Sequence, residues 1–134
     1  MLSEIKLLAK RRVSFGFETT LAGRSYLQLI RQLKEEGYRA HFFFLWVKNV
    51  DVALARVKDR VAKGGHDVPE AFVRRRFERS VHNFLREYRA LADSWYLFDN
   101  SGKIPFLIAI EEKHKLRIIE VGQYQSLIAN YGDE

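Results

Sequence analysis

An uninterrupted apolar run, Phe42-Phe43-Phe44-Leu45-Trp46-Val47, constrains the fold of this chain more than any other feature. An extended segment points successive side chains to opposite faces, so a strand of this composition is apolar on both faces. Such strands are typical of parallel sheets that helices cover on both sides. The run therefore predicts an interior strand at residues 38–47 in an α/β fold.

Amphipathic helices and shorter apolar strands alternate around this run. Before it, the pattern predicts a helix at residues 2–12, a strand at 13–17 and a helix at 24–36 that ends at Gly37. After it, the pattern predicts a helix capped by Asn49 and ended by Gly64-Gly65, a long helix at 69–92 and a strand at 95–98. Residues 105–110 and 116–121 predict a hairpin, and residues 124–130 predict a short helix.

The expected fold class is therefore α/β, with a parallel sheet flanked by helices and followed by a C-terminal β-hairpin and a short helix. At 134 residues the chain has the size of one domain, residues 1–134. The absence of cysteine excludes disulfides and thiolate metal sites, and the four histidines are scattered, so we expect no metal ligands. No run of about 18 uncharged apolar residues occurs, so we expect a cytoplasmic protein without a membrane partner.

Positive charge is concentrated in one part of the chain. Residues 56–89 contain ten Lys and Arg residues but five Asp and Glu residues, while the whole chain carries a net charge of +6. We call residues 56–80 the lid segment, because a flexible Gly64-Gly65-His66 loop between two basic helices can close over a ligand. Its candidate phosphate-binding residues are Arg60, His66, Arg75, Arg76 and Arg79. The alternative is that these side chains only form the solvated face of a helix. Because the positive charge is concentrated in one segment, we expect an anionic small molecule as the ligand more than nucleic acid.

Polar residues follow two of the predicted strands. Glu18, Thr19 and Thr20 come directly after the strand at 13–17, where ligands of open α/β sheets bind, so they are candidates for binding substrate hydroxyls. The alternative is that they only satisfy backbone donors at the start of the next helix. Asp99 and Asn100 follow the strand at 95–98, where they form a turn or line the site of a nucleotide base.

Several short motifs, taken in order, resemble the zeta-toxin-like P-loop kinases. They are Phe17-Glu18-Thr19-Thr20-Leu21-x-x-Arg24, Gly37-Tyr38, Phe43-Phe44-Leu45-Trp46, Arg56-Val57-x-x-Arg60-Val61-x-x-Gly64-Gly65-His66-x-Val68-Pro69, Arg75-Arg76-Phe77-x-Arg79-Ser80 and Asp99-Asn100-Ser101. The resemblance implies an ATP- and Mg²⁺-dependent phosphotransferase whose best-known members phosphorylate UDP-N-acetylglucosamine, and an antitoxin as a partner. It assigns sugar contacts to Glu18 and Thr20 and phosphate contacts to the lid arginines, with Arg60 as the clearest match.

One expected part of such a kinase is not found. The family carries a Gly-x-x-x-x-Gly-Lys-Ser/Thr loop that cradles phosphates, whereas the Gly102-Lys103 pair here is followed by Ile104. We therefore expect the chain to correspond to the C-terminal two-thirds of such a kinase, with no catalytic residue of its own. A second hypothesis is a non-catalytic binding module that uses the lid segment to bind anions or a protein. A nucleic-acid binder is a third.

The missing loop also affects the predicted sheet. In the family's fold, as the resemblance implies it, the strand before that loop lies between the counterparts of residues 13–17 and 38–47. Without it, we expect these two strands to pair directly in parallel. The alternative is that the gap persists and leaves an unpaired edge that promotes self-association.

Overall fold

The computed structural model describes residues 2–19 and 21–132 of the chain, which form a mixed α/β fold. The helices are α1 (Leu2–Lys10), α2 (Ser25–Glu35), α3 (Val50–Ala62), α4 (Glu70–Asn83), α5 (Arg89–Leu91) and α6 (Val121–Tyr131), and a π-helical turn at Phe84–Tyr88 joins α4 to α5. The strands are β1 (His41–Trp46), β2 (Ser94–Asp99), β3 (Phe106–Glu112) and β4 (Lys115–Ile118). Of the helices described, none is long and apolar enough to cross a membrane.

The four strands form one sheet in the order β1-β2-β3-β4. Only β1 and β2 are parallel, with His41 opposite Ser94 and Trp46 opposite Asp99, while β2–β3 and β3–β4 are antiparallel. The α/β class, the C-terminal hairpin and the final helix are confirmed. The parallel part of the sheet is limited to β1 and β2, because β2 passes to β3 through a short turn, and a turn without a crossover joins antiparallel strands.

Residues 13–17 do not form the predicted strand. This segment is held by side chains instead of a backbone ladder: the Phe15 ring lies 5.7 Å from Tyr38 and the Phe17 ring lies 5.2 Å from Tyr26. The Tyr38 hydroxyl also donates to the carbonyl of Val13 at 3.0 Å. Direct parallel pairing between this segment and β1 is therefore also wrong, and a gap separates the two.

Strand β1 lies at an edge of the sheet, so the prediction of an interior strand is wrong. One face of the strand packs as expected, with Phe44 stacked on Phe84 at 4.5 Å and Phe42 against Tyr88 at 5.9 Å. The other face is open: Phe43 is 67% exposed and Leu45 is 54% exposed. The apolar run predicts that both faces of β1 are buried, and the described residues bury one of them.

The core lies between the sheet and the helices α2, α4 and α6. Its largest fully buried side chains include Trp95, Tyr88 and Phe84. Residues 69–92 were expected to form one regular helix, but the π-helical turn adds a residue to its path. This extra residue brings Phe84, Leu85 and Tyr88 into the core together.

The predicted ends of helix α3 are confirmed. The side chain of Asn49 accepts a hydrogen bond from the amide of Val52 at 3.1 Å, so it caps the first turn. At the other end, Gly64 has φ +94, and the amide of Gly65 donates to the carbonyl of Arg60 at 2.7 Å. This is a left-handed glycine stop, which fixes where the chain leaves α3 for the lid loop.

Candidate functional site

A cavity of about 960 Å³ lies beside the unpaired edge of β1. It is lined by residues 15–19 and 21, by α2, by β1 and by the facing sides of α3 and α4. Four of the predicted site residues line this one space: Glu18, Thr19, Arg60 and Arg76. The structure therefore brings together residues from the strand-end motif and from the lid segment, which are far apart in the sequence.

The segment that carries Glu18 and Thr19 is fastened to α4. The side-chain amide of Asn83 donates to the carbonyl of Leu21 at 2.8 Å and to that of Ala22 at 3.1 Å. Leu21 is buried and has φ +57, a left-handed conformation that is costly for a residue with a branched side chain. The two bonds from Asn83 hold this conformation in place next to the cavity.

The hydroxyl of Thr19 has a local partner. It accepts a hydrogen bond from the amide of Leu21 at 3.2 Å, which makes a small side-chain turn. Helix α2 begins after Arg24 without a side-chain cap, so Thr19 does not act as its N-cap. Thr20 lies outside the described residues, and its predicted role stays a prediction.

The lid segment supplies three of the five Lys and Arg side chains in the described cavity lining, and Lys34 and Arg39 are the other two. Neither Arg60 nor Arg76 has an ion-pair or hydrogen-bond partner for its side chain within the described part of the chain. Arg56 also lines the cavity, and its guanidinium donates to the carbonyl of Asn100. Glu18 is the one carboxylate in the described lining. Unpaired guanidinium groups in such a space are suited to a phosphate.

Arg56 was not among the site residues predicted from the sequence. The signal for it was available, because Arg56 and Arg60 are four residues apart on α3 and therefore lie on the same helix face. A second unpredicted feature is the indole N–H of Trp46, which is buried and has no hydrogen-bond partner among the described residues. Trp46 also contributes to the cavity lining.

Three lid residues lie elsewhere. His66, Arg75 and Arg79 are exposed and are not part of the described cavity lining. The Arg75 guanidinium lies 5.0 Å from the centre of the Phe72 ring, a cation–π contact on the helix surface. As the loop stands in this structure, a movement of the lid segment would be needed to bring these side chains to the cavity.

Asp99 and Asn100 form the turn at the end of β2. Burial raises the pKa of Asp99, but hydrogen bonds from Ser101 and Gln123 outweigh it, so the pKa lies below its ordinary value. The donors are the amide of Ser101 at 2.8 Å and the side chain of Gln123 at 2.7 Å. The amide of Asn100 donates to the carbonyl of Trp46 at 2.6 Å and closes the β1–β2 ladder. These bonds are structural, and base binding at this turn stays a prediction.

Comparison with known proteins places this chain beside a protein family and a relative from a bacterium. The sequence model of a family described as zeta toxin matches residues 3–112. An uncharacterized protein of Haemophilus influenzae is 37% identical over 68 residues, which are 51% of this chain and 49% of that protein. The chain therefore matches about half the length of this curated relative. No solved structure matches the chain.

Proposed function

This chain belongs to the zeta toxin family, and we propose on that premise that it supplies the substrate-binding and lid portion of an ATP-dependent phosphotransferase. Family membership supports a P-loop-kinase-like domain. The observation that carries the finer proposal is the shared cavity, which places Glu18 and Thr19 in the same space as the unpaired Arg60 and Arg76.

In this proposal, Arg60 and Arg76 bind the phosphates of the nucleotide. A guanidinium group donates two parallel hydrogen bonds to phosphate oxygens and offsets the negative charge that spreads over a transferring phosphoryl group. No intramolecular carboxylate has to be displaced first, because the described residues give neither side chain an ion-pair partner. Arg56 adds positive charge at the same wall of the cavity.

Glu18 and Thr19 would bind the second substrate. A carboxylate accepts hydrogen bonds from sugar hydroxyls, and the hydroxyl of Thr19 has donor capacity left because it acts as an acceptor toward Leu21. The proposed substrate is a UDP-sugar or a similar small molecule with free hydroxyls. We also propose an antitoxin-type protein as a partner, which rests on family membership alone.

The residues present fit the nucleotide phosphates better than they fit its metal ion. The described part of the chain has no group of three or more His, Asp or Glu side chains that could hold a cation. These residues therefore do not form a Mg²⁺ site by themselves, and the proposal assigns them no role in binding that ion.

Titration of the purified chain with ATP tests the phosphate assignment. We expect weak binding at low ionic strength that falls steeply with added salt, because exposed guanidinium groups are screened. Arg60→Ala and Arg76→Ala should each weaken binding about tenfold, since each removes a charge-assisted hydrogen bond. Arg117→Ala is the matched control, as it removes one positive charge from the exposed strand β4.

Two results would count against this assignment. Equal affinity for ATP at low and high salt would exclude an electrostatic site, and an equal loss in Arg117→Ala would show that only net charge matters.

Titration with UDP-N-acetylglucosamine tests the other half of the site, where Glu18→Gln should weaken binding and leave the affinity for ATP unchanged.

A further inference from the structure

A second cavity, of about 350 Å³, lies near the opposite edge of the sheet from the candidate site. Its walls come from β2, β3, β4, α6 and the helical stretch that follows α4, and it shares no lining residue with the first cavity. A strand added beside β1 would not reach it, because β2 and β3 lie between β1 and β4. Two of its walls, β4 and α6, follow residue 112, where the match to the zeta toxin family ends.

The helical side of this second cavity is positively charged. The guanidinium of Arg89 lies 5.5 Å from the centre of the Trp95 ring and donates a hydrogen bond to the hydroxyl of Tyr124 at 2.8 Å. These contacts fix its orientation, and its remaining N–H groups have no partner among the described residues. Arg86 lines the same cavity, and its Nε donates to the carbonyl of Gly132 at 3.0 Å. Both arginines therefore keep N–H donors for a ligand.

The sheet side of the second cavity carries a carboxylate. Glu111 is half-buried on β3, and it accepts a hydrogen bond from the indole N–H of Trp95 at 3.1 Å. It forms no ion pair with a described residue, although Arg86 and Arg89 line the same space. A ligand with one charge would meet repulsion from the group of like charge. A ligand that carries both charges would meet an opposite charge on each side.

The rest of the lining is mostly apolar. Leu85 is buried beneath the cavity, and Leu116 on β4 is 46% exposed beside it. Ala90 and the ring of Trp95 add further apolar surface. The volume is at the lower end of the range, about 300–1,000 Å³, that is typical of small-molecule sites. These surfaces suit a ligand with a short aliphatic group.

We propose that the second cavity binds a small zwitterion with an aliphatic body, of the kind represented by an α-amino acid with a branched side chain. The carboxylate of the ligand accepts hydrogen bonds from Arg89, with Arg86 adding positive charge on the same side. Its ammonium group donates to Glu111, and its side chain packs against Leu85 and Leu116. The proposal is independent of phosphoryl transfer, since it rests on residues outside the first cavity.

Titration with L-leucine, followed by NMR of the tryptophan indole N–H groups, tests the proposal. The chain has two tryptophans, of which Trp46 lines the first cavity and Trp95 the second. We expect a saturable shift of the Trp95 signal, because Glu111 accepts its indole bond and also binds the ligand. The Trp46 signal, identified with Trp46→Phe, should stay in place. Equal shifts of both signals, or no saturable shift of the Trp95 signal, would overturn the proposal.

Two analogues of leucine test each charge on the unmodified chain. N-acetyl-leucine lacks the ammonium group, and leucinamide lacks the carboxylate. We expect each to bind at least about tenfold more weakly than leucine, because each loses a charge-assisted hydrogen bond. Equal binding of either analogue would contradict the proposal, since one of the two charged sides would then make no contact with the ligand.

A pair of variants on β3 gives a second test. Glu111→Gln removes the charge but keeps an oxygen that can accept the indole bond of Trp95, and it should weaken leucine binding at least about tenfold. Glu112→Gln is the matched control, because successive side chains of a strand point to opposite faces and Glu112 accepts a bond from the hydroxyl of Tyr96. Equal affinities of the two variants for leucine would refute the assignment of Glu111.

The analogues also cover a variant that does not fold. Should Glu111→Gln fail to fold, leucinamide and N-acetyl-leucine decide the matter on the unmodified chain. Failure of ATP to bind in the earlier titration would leave these results unaffected, because the two ligands are assigned to cavities without a common residue.

Discussion

Asn83 joins the two halves of the candidate site through a single side chain. The side-chain amide of Asn83 donates a hydrogen bond to the carbonyl of Leu21 at 2.8 Å. Without Asn83, this buried carbonyl would lose its donor. We expect Asn83→Ala to lower the free energy of unfolding by about 1–3 kcal/mol, the cost of an unsatisfied buried group. Urea unfolding measures this, and proteolysis between residues 15 and 24 should become faster.

Asn130→Ala is the matched control for that substitution. Asn130 is exposed, and its amide reaches only the hydroxyl of Ser126 at 3.4 Å. Its removal should change stability by less than about 0.5 kcal/mol. Equal effects in the two variants would mean that the hydrogen bond from Asn83 to Leu21 contributes nothing to the stability of the fold.

Asp99 should make stability depend on pH. The pKa of Asp99 is held below the ordinary value of 3.8. Its contribution to the free energy of unfolding is therefore complete above pH 3.8 and is lost as the pH falls through the pKa of the folded state. We expect Asp99→Asn to destabilise the fold by about 1.5–3 kcal/mol at neutral pH, because hydrogen bonds from Ser101 and Gln123 lose a charged acceptor.

The measurement is urea unfolding of the chain and the variant from neutral pH down to about pH 3. The difference between them should shrink over the acid end of that range. Asp67→Asn, in the exposed lid loop, is the matched control and should change stability at neutral pH by less than about 0.5 kcal/mol. A constant difference for Asp99→Asn would contradict the assigned cause.

At the scale of elements, the end of α3 sets the direction of the lid segment. Gly64 has φ +94, a conformation that residues with a side chain adopt at a cost. Gly64→Ala should lower the free energy of unfolding by about 1–2 kcal/mol. Gly102→Ala is the control, since a methyl group there meets nothing within 4 Å. Similar unfolding midpoints for the two variants would show that a side chain at residue 64 costs no more than one at residue 102.

Elements with strong local signals could be predicted from the sequence. Helix α3 was found with both its ends because Asn49 and Gly64 act on neighbouring residues. The final hairpin and helix were found for the same reason. The strand predicted at 13–17 does not form, because a short apolar segment becomes a strand only when another strand pairs with it. The open face of β1 was missed because burial depends on what lies beyond the strand.

The candidate site was predictable in part. Glu18 and Arg60 could be named as candidates, but their shared cavity depends on tertiary packing, such as the contact of Asn83 with Leu21. Arg56 could also be predicted, because it lies four residues before Arg60 on the same face of α3. The edge position of β1 gave no sequence signal, since an apolar run looks the same in an interior strand and in an edge strand.

For the whole molecule, we expect no phosphoryl transfer by the purified chain alone. That reaction depends on positioning and charge neutralisation, and the sequence has no glycine-rich loop with the required Gly-Lys-Ser/Thr ending. The measurement is phosphate transfer from ATP to UDP-N-acetylglucosamine. A low rate that Arg60→Ala leaves unchanged would indicate a contaminating enzyme, whereas a rate abolished by Arg60→Ala would contradict the expectation.

The π-helical turn at Phe84–Tyr88 determines which side of α4 faces the core and which side faces the cavity. Loss of one residue from this turn would restore a regular helix and rotate α4 by about 100° against the sheet. Arg75 would then occupy the position of Arg76, so three successive arginines keep a positive charge at the cavity in either phase. Ser80 would move into the buried position of Val81. The length of this helix is therefore fixed by the packing of its apolar side, while its charged side tolerates a one-residue deletion.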